Sequence, residues 1–167
     1  RAACLGATTL ATRSYTTNVI TTTFGNPISI AGADMDGDGD QDVLGASPGF
    51  NRIAWYENPY PLAASGVSHI ISPAVQTAAS AHPADIDGDG DMDVLSSSFN
   101  DDKIAWYEND GSQGFTARTI STAANGAFCA FAADMDGDGD LDVLSASELD
   151  DKFAWYEQEN YDFGDLP

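Results

Sequence analysis

A chain of 167 residues holds one domain or at most two small ones, and its 27 acidic against 6 basic residues give a formal charge of −21. That balance argues against nucleic acid, whose phosphates call for Lys and Arg, and equally against an anionic membrane surface. The hydrophobic fraction of 43% suffices for a core, so the chain is not a disordered acidic tail, and it has no apolar run long enough to span a bilayer as a helix.

Residues 1–14 lie ahead of any internal similarity and are a candidate subunit or blade contact. From residue 15 the chain repeats three times with a period of about 50 residues. The units are 15–58, 67–109 and 115–158, with turn-rich joints at 59–66 and 110–114 and a linker or contact segment at 159–167. The sequence Asp-Met-Asp-Gly-Asp-Gly-Asp-Gln-Asp at 34–42 recurs with small changes at 85–93 and 134–142. Ala-Trp-Tyr-Glu recurs at 54–57, 105–108 and 154–157. Arg52, Lys103 and Lys152 keep the same register, and Asn18, His69 and Arg118 stand at one common distance ahead of the three acidic loops.

Within a unit the local signals are those of strands. Segments such as His69–Ile71 and Phe128–Phe131 precede the loop, and Asp-Val-Leu follows it. A turn (Pro48–Asn51, Asn100–Asp102) then leads into the aromatic strand. No window sustains a helical period with caps. The expected fold is all-β: three propeller-type, four-stranded antiparallel blades, each with one acidic loop.

Each loop places Asp at its positions 1, 3, 5, 7 and 9 and Gly at 4 and 6. Five carboxylates so close together repel one another unless a cation sits among them. Gly at 4 and 6 permits the backbone to curl so that alternate side chains converge. Dense, hard oxygen ligands suit Ca²⁺, which takes 6–8 oxygens in flexible geometry, better than Mg²⁺. No Cys or His joins the loops, which argues against zinc. Asp side chains at 1, 3, 5 and 9 with the carbonyl at 7 form the expected ligand set, while the apolar residues at 2 and 8 point into the blade. An EF-hand fits poorly, because position 12 is Gly45, Ser96 or Ser145 rather than Glu. A solvated acidic turn without an ion is the remaining alternative.

These loops, followed by Val-Leu, and the Ala-Trp-Tyr-Glu-Asn segments resemble the FG-GAP family, also called VCBS repeats, which builds integrin-α-type β-propellers. The resemblance covers all three units. It implies three Ca²⁺ ions, one per repeat, on a secreted or cell-surface protein. By position it assigns Asp34, Asp36, Asp38 and Asp42 to the first ion, Asp85, Asp87, Asp89 and Asp93 to the second, and Asp134, Asp136, Asp138 and Asp142 to the third. Asp40, Asp91 and Asp140 would give backbone carbonyls. Closed propellers need at least four blades. Three units therefore imply a piece of a larger propeller, subunits that complete one another, or an open array.

The three tryptophans, Trp55, Trp106 and Trp155, are expected in blade-to-blade packing rather than as a sugar platform. Arg52, Lys103 and Lys152 are expected to pair with acids such as Asp102 or Asp151. His69 and His82 occupy non-equivalent places with no partner motif, and no catalytic role is expected for either. Cys4 and Cys129 could form a disulfide, the alternative being a free, buried Cys129. The function expected is a calcium-binding, non-catalytic repeat module of a secreted or cell-surface adhesive or scaffold protein, with a protein or glycan partner the sequence does not name. Its alternatives are a self-assembling subunit of an extracellular fibre or ring, and a lectin-like or polysaccharide-active propeller. A homo-oligomer or a place in a longer chain is expected, without nucleic acid or membrane insertion.

Overall fold

The computed structural model describes residues 14–58 and 66–159. The terminal contact segments, apart from Ser14 and Glu159, lie outside the described residues, as does most of the first joint. Among the described residues, eleven strands and no helix form three antiparallel sheets. The first has the order β1 (Ser29–Ala33), β2 (Asp42–Ser47), β3 (Arg52–Tyr56), β4 (Ser68–Ser72). The second has β5 (Ala78–Ala84), β6 (Asp93–Ser98), β7 (Lys103–Asn109), β8 (Phe115–Ser121). The third has β9 (Ala127–Ala133), β10 (Asp142–Ser147) and β11 (Lys152–Tyr156).

The all-β, antiparallel reading therefore holds for three blade-like sheets, with two corrections. The third sheet has three strands instead of four, and β11 has no outer neighbour among the described residues. The sheets also run out of phase with the sequence units: β4, at the head of unit 67–109, pairs with β3 and closes the first sheet. In the same way β8 closes the second sheet against β7. Antiparallel pairing favours the strand that returns next along the chain, so the first two sheets borrow their outer strands from the following unit.

Each hairpin joining the second and third strands turns through a residue with positive φ: Asn51 at 51°, Asp102 at 52° and Asp151 at 51°. Asn and Asp tolerate this conformation better than other non-glycine residues. The turn also binds the linker into the next sheet. Asn51 accepts hydrogen bonds from Val75 N on its carbonyl (3.1 Å) and from Thr77 N on its Oδ1 (2.9 Å). Asp102 does the same for Ala124 N (3.1 Å) and Gly126 N (2.8 Å).

The sheets bury one face against the next. Leu44, Ile53 and Trp55 of the first sheet pack with Ala81, Val94 and Tyr107 of the second. Leu95, Ile104 and Trp106 then pack with Ala130, Ala132 and Val143 of the third. Serine hydroxyls tie the inner strands across the gap. Ser29 Oγ accepts from Ala81 N (3.2 Å), and Ser80 Oγ accepts from Ala130 N (3.1 Å). Two tryptophans thus stand at sheet-to-sheet contacts as expected, but the equivalent Trp155 is 47% exposed, because no described element covers that face of the third sheet. Cys129 lies on the same open face and is exposed and free, which corrects the buried alternative; Cys4 lies outside the described residues. Lys103 and Lys152 pair with Asp101 (3.3 Å) and Asp150 (2.7 Å) rather than with Asp102 and Asp151. Asp102 is turned toward the linker that it binds. The Arg52 guanidinium lies over Phe24 and Phe50 instead of meeting an acid.

Ile104 and Phe153 occupy equivalent places, the first fully buried and the second 91% exposed. Ile104→Ala is expected to cost about 3 kcal/mol in denaturant unfolding. Phe153→Ala in dilute protein is expected to cost less than about 1 kcal/mol. Equal losses at the two positions would contradict the open third face.

Candidate metal centre

Each acidic loop connects the first two strands of a sheet. Its two glycines take φ values no β-carbon favours, 77° and 95° at Gly37 and Gly39, with the same pattern in the other loops. No atom crowds the place where a β-carbon would sit at either residue, so the glycines serve the curl of the backbone and not a tight contact.

The curl brings three carboxylates together in every loop: Asp34, Asp36 and Asp42; Asp85, Asp87 and Asp93; Asp134, Asp136 and Asp142. Within each triad one ligand oxygen per residue lies within 4.8 Å of the others. Oxygens bound to one Ca²⁺ at 2.3–2.6 Å stand no more than about 5 Å apart, so each triad fits part of such a shell. Asp85 Oδ1 is enclosed and has no hydrogen-bond partner, a gap that a cation would fill.

The remaining predicted ligands stand outside the triads. Asp38, Asp89 and Asp138 each use Oδ1 to accept the amide two residues on, that of Asp40 (3.0 Å), Asp91 (2.9 Å) and Asp140 (3.0 Å). That is the local turn Asp side chains favour. Asp34 and Asp134 likewise accept amides of their own loops, from Gly37 (2.8 Å) and Gly137 (2.7 Å) among others.

The ninth position has a second role that motif reading misses. Asp42 Oδ2 accepts from Met35 N (2.9 Å) and its Oδ1 from Asn58 N (2.8 Å). Asp93 repeats this with Ile86 N (3.0 Å) and Asn109 N (2.8 Å), and Asp142 with Met135 N and Gln158 N (both 2.9 Å). All three side chains belong to buried residues. The constant spacing from this Asp to the residue after Ala-Trp-Tyr-Glu was the available signal. The apolar residue at position 2 points inward at Met35 and Ile86, as expected, but Met135 is exposed beside the open third face.

Burial raises the carboxyl pKa of Asp42 and Asp93 above the ordinary 3.8, opposed by their backbone hydrogen bonds. Asp87 is raised by burial and by its acidic neighbours, as is Asp40, first by burial and then by Asp38. Asp142 moves the other way, held down chiefly by the amides of Gln158 and Met135. Burial is thus the main cost of the raised carboxylates, and the neighbouring acids add to it.

The model of the FG-GAP-like repeat matches residues 34–96 and again 85–145, which together span most of the chain. No curated protein matches it significantly.

Two predictions separate the roles within a triad. Asp93→Ala strands two buried amides and should cost about 3 kcal/mol even in a chelator. Asp87→Asn should leave chelated stability nearly unchanged and weaken ion uptake; equal behaviour of the two variants would refute the division. The pH response follows from the raised groups, which bind protons more tightly folded than unfolded. Without divalent ions the melting temperature should fall as pH rises from just above 3.8, the opposite contributions of Asp142 and Asp150 being outnumbered by those of Asp40, Asp42, Asp87 and Asp93. Saturating Ca²⁺ should remove that fall.

Proposed function

The chain belongs to the FG-GAP-like repeat family, and from that premise we propose that it is a calcium-binding, non-catalytic repeat module of a secreted or cell-surface adhesive or scaffold protein. The observation that carries this reading is the threefold recurrence of the Asp triad in one geometry. Each triad would take one Ca²⁺, with Asp38, Asp89 and Asp138 and the carbonyls of Asp40, Asp91 and Asp140 completing the shell as the loop closes.

The ion would relieve the repulsion within each loop and lock the connection between the first two strands of the sheet. Because it binds the folded loop and not the unfolded chain, it would stabilise by mass action, by about 2.7 kcal/mol per site at a hundredfold excess over Kd. A non-catalytic role accords with the histidines. His69 stacks on Trp55 with ring centroids 4.1 Å apart, and His82 packs on Phe131 at 4.2 Å. Burial lowers the His82 pKa, which disfavours its charged form.

Titration calorimetry in Ca²⁺ should show three ions per chain, with Kd in the extracellular-module range of about 10⁻⁴–10⁻³ M or somewhat tighter. Mg²⁺ should bind more weakly, and Asp87→Asn should reduce the count to two. No uptake, together with a melting temperature indifferent to EGTA, would end this reading.

A further inference from the structure

Among the described residues the third sheet has no outer strand, and the matching segment lies ahead of the first sheet. Asn18 stands where His69 and Arg118 stand in the repeat, so residues 15–21 correspond to β4 and β8. In the complete sheets His69 lies opposite Trp55 and Arg118 opposite Trp106, with a register shift at the same place in both ladders. The same register sets Asn18 opposite Trp155, Thr17 opposite Tyr156 and Thr21 opposite Phe153. Yet residues 15–21 form no strand here, and Tyr15 and Val19 are exposed.

The turn-to-linker bonds point the same way. Phe24 and Asn26 correspond to the Val75 and Thr77 that Asn51 binds, and to the Ala124 and Gly126 that Asp102 binds. Asn26 already has φ 58°, beside 57° for Thr77, and Asp151 has the φ of Asn51 and Asp102. Phe24 is also already seated against Ala54 and Tyr56 of the first sheet, as Val75 is against Ala105 and Tyr107 of the second. The acceptor turn at Asp151 and the donor amides at Phe24 and Asn26 are two halves of one device.

The faces agree as well. Phe153 and Trp155 of the third sheet occupy the places of Ile53 and Trp55, which are fully buried against a following sheet. The first sheet exposes Ile30, whose counterpart Ala81 is buried against a preceding one. We infer that the open face and edge of the third sheet receive the first sheet and residues 15–26 of a second copy of this chain, head to tail. Three blades do not close into a ring by themselves, since closed propellers carry four to eight. Two copies would contribute six, and a heterologous contact closes into a ring where the rotation between copies is a half turn and otherwise runs on as a filament. Charge permits the approach: residues 14–33 contain no charged side chain in a chain of net charge −21. The pairing rests on packing and register, not on the calcium reading.

The test is sedimentation of the full chain from micromolar to millimolar protein, in Ca²⁺ and in EGTA. A dimer or larger head-to-tail species is expected, and Phe153→Lys should weaken it at least about thirtyfold while each chain keeps its fold, because Phe153 is exposed in the single chain. A second measurement fixes the register. In a background with Cys4→Ser and Cys129→Ser, chains carrying Asn18→Cys are mixed with chains carrying Trp155→Cys. Oxidation should give mixed disulfide dimers. A strictly monomeric chain, an association indifferent to Phe153→Lys, or a disulfide formed only when both cysteines share one chain would each overturn the inference. Loss of calcium uptake with assembly intact would count against the proposed function alone.

Discussion

Three buried carboxylates hold this molecule in order. Asp42, Asp93 and Asp142 each sit at the base of an acidic loop and accept one amide from the loop's beginning and one from the end of the third strand. Each therefore fixes three things at once: the closure of the loop, the start of the second strand and the exit of the aromatic strand. A charged acceptor with two amide donors is among the stronger interactions available to a small β-unit. Desolvation works against it, and the exposed acids of the loop add repulsion. The loop and the sheet architecture consequently meet at one residue, so an ion taken up by the proposed site would be felt at the strand ends.

The second organising feature is the graded burial of a repeated face. Leu44, Ile53 and Trp55 are sealed by the second sheet, and Leu95 and Ile104 by the third. The same positions of the third sheet, Phe153 and Trp155, stand open. The residues hardly change in character from sheet to sheet; only the neighbour changes. Stability in such an array belongs as much to interfaces as to units.

Much of this was legible in the sequence. The acidic loops, the aromatic strands and the turns between them were marked by local chemistry: Asp-Gly alternation, β-branched and aromatic runs, and Asn or Asp where φ turns positive. What could not be read locally was which strand closes which sheet. A sequence repeat has no natural starting point, and β4 and β8 belong to their sheets through hydrogen bonds to the preceding unit. The double use of Asp42, Asp93 and Asp142 was hidden for a related reason. A carboxylate in an acidic motif looks like a ligand, and its backbone donors lie seven and sixteen residues away. The lysine partners slipped by one residue because Asp102 is engaged by the next linker, an interaction that spans 24 residues.

The linkers themselves are held from both sides. Thr77 gives its amide to Asn51 of the first sheet and its carbonyl to Phe99 N of the second (3.0 Å). Gly126 repeats this between Asp102 and Glu148 N (3.0 Å). A tensile load drawn along the backbone would reach each linker where it is bonded to two sheets, so neither sheet could be extracted without loosening its neighbour. Under such a load two neighbouring sheets would share the strain at each linker, in the manner of a laminate rather than a string of beads.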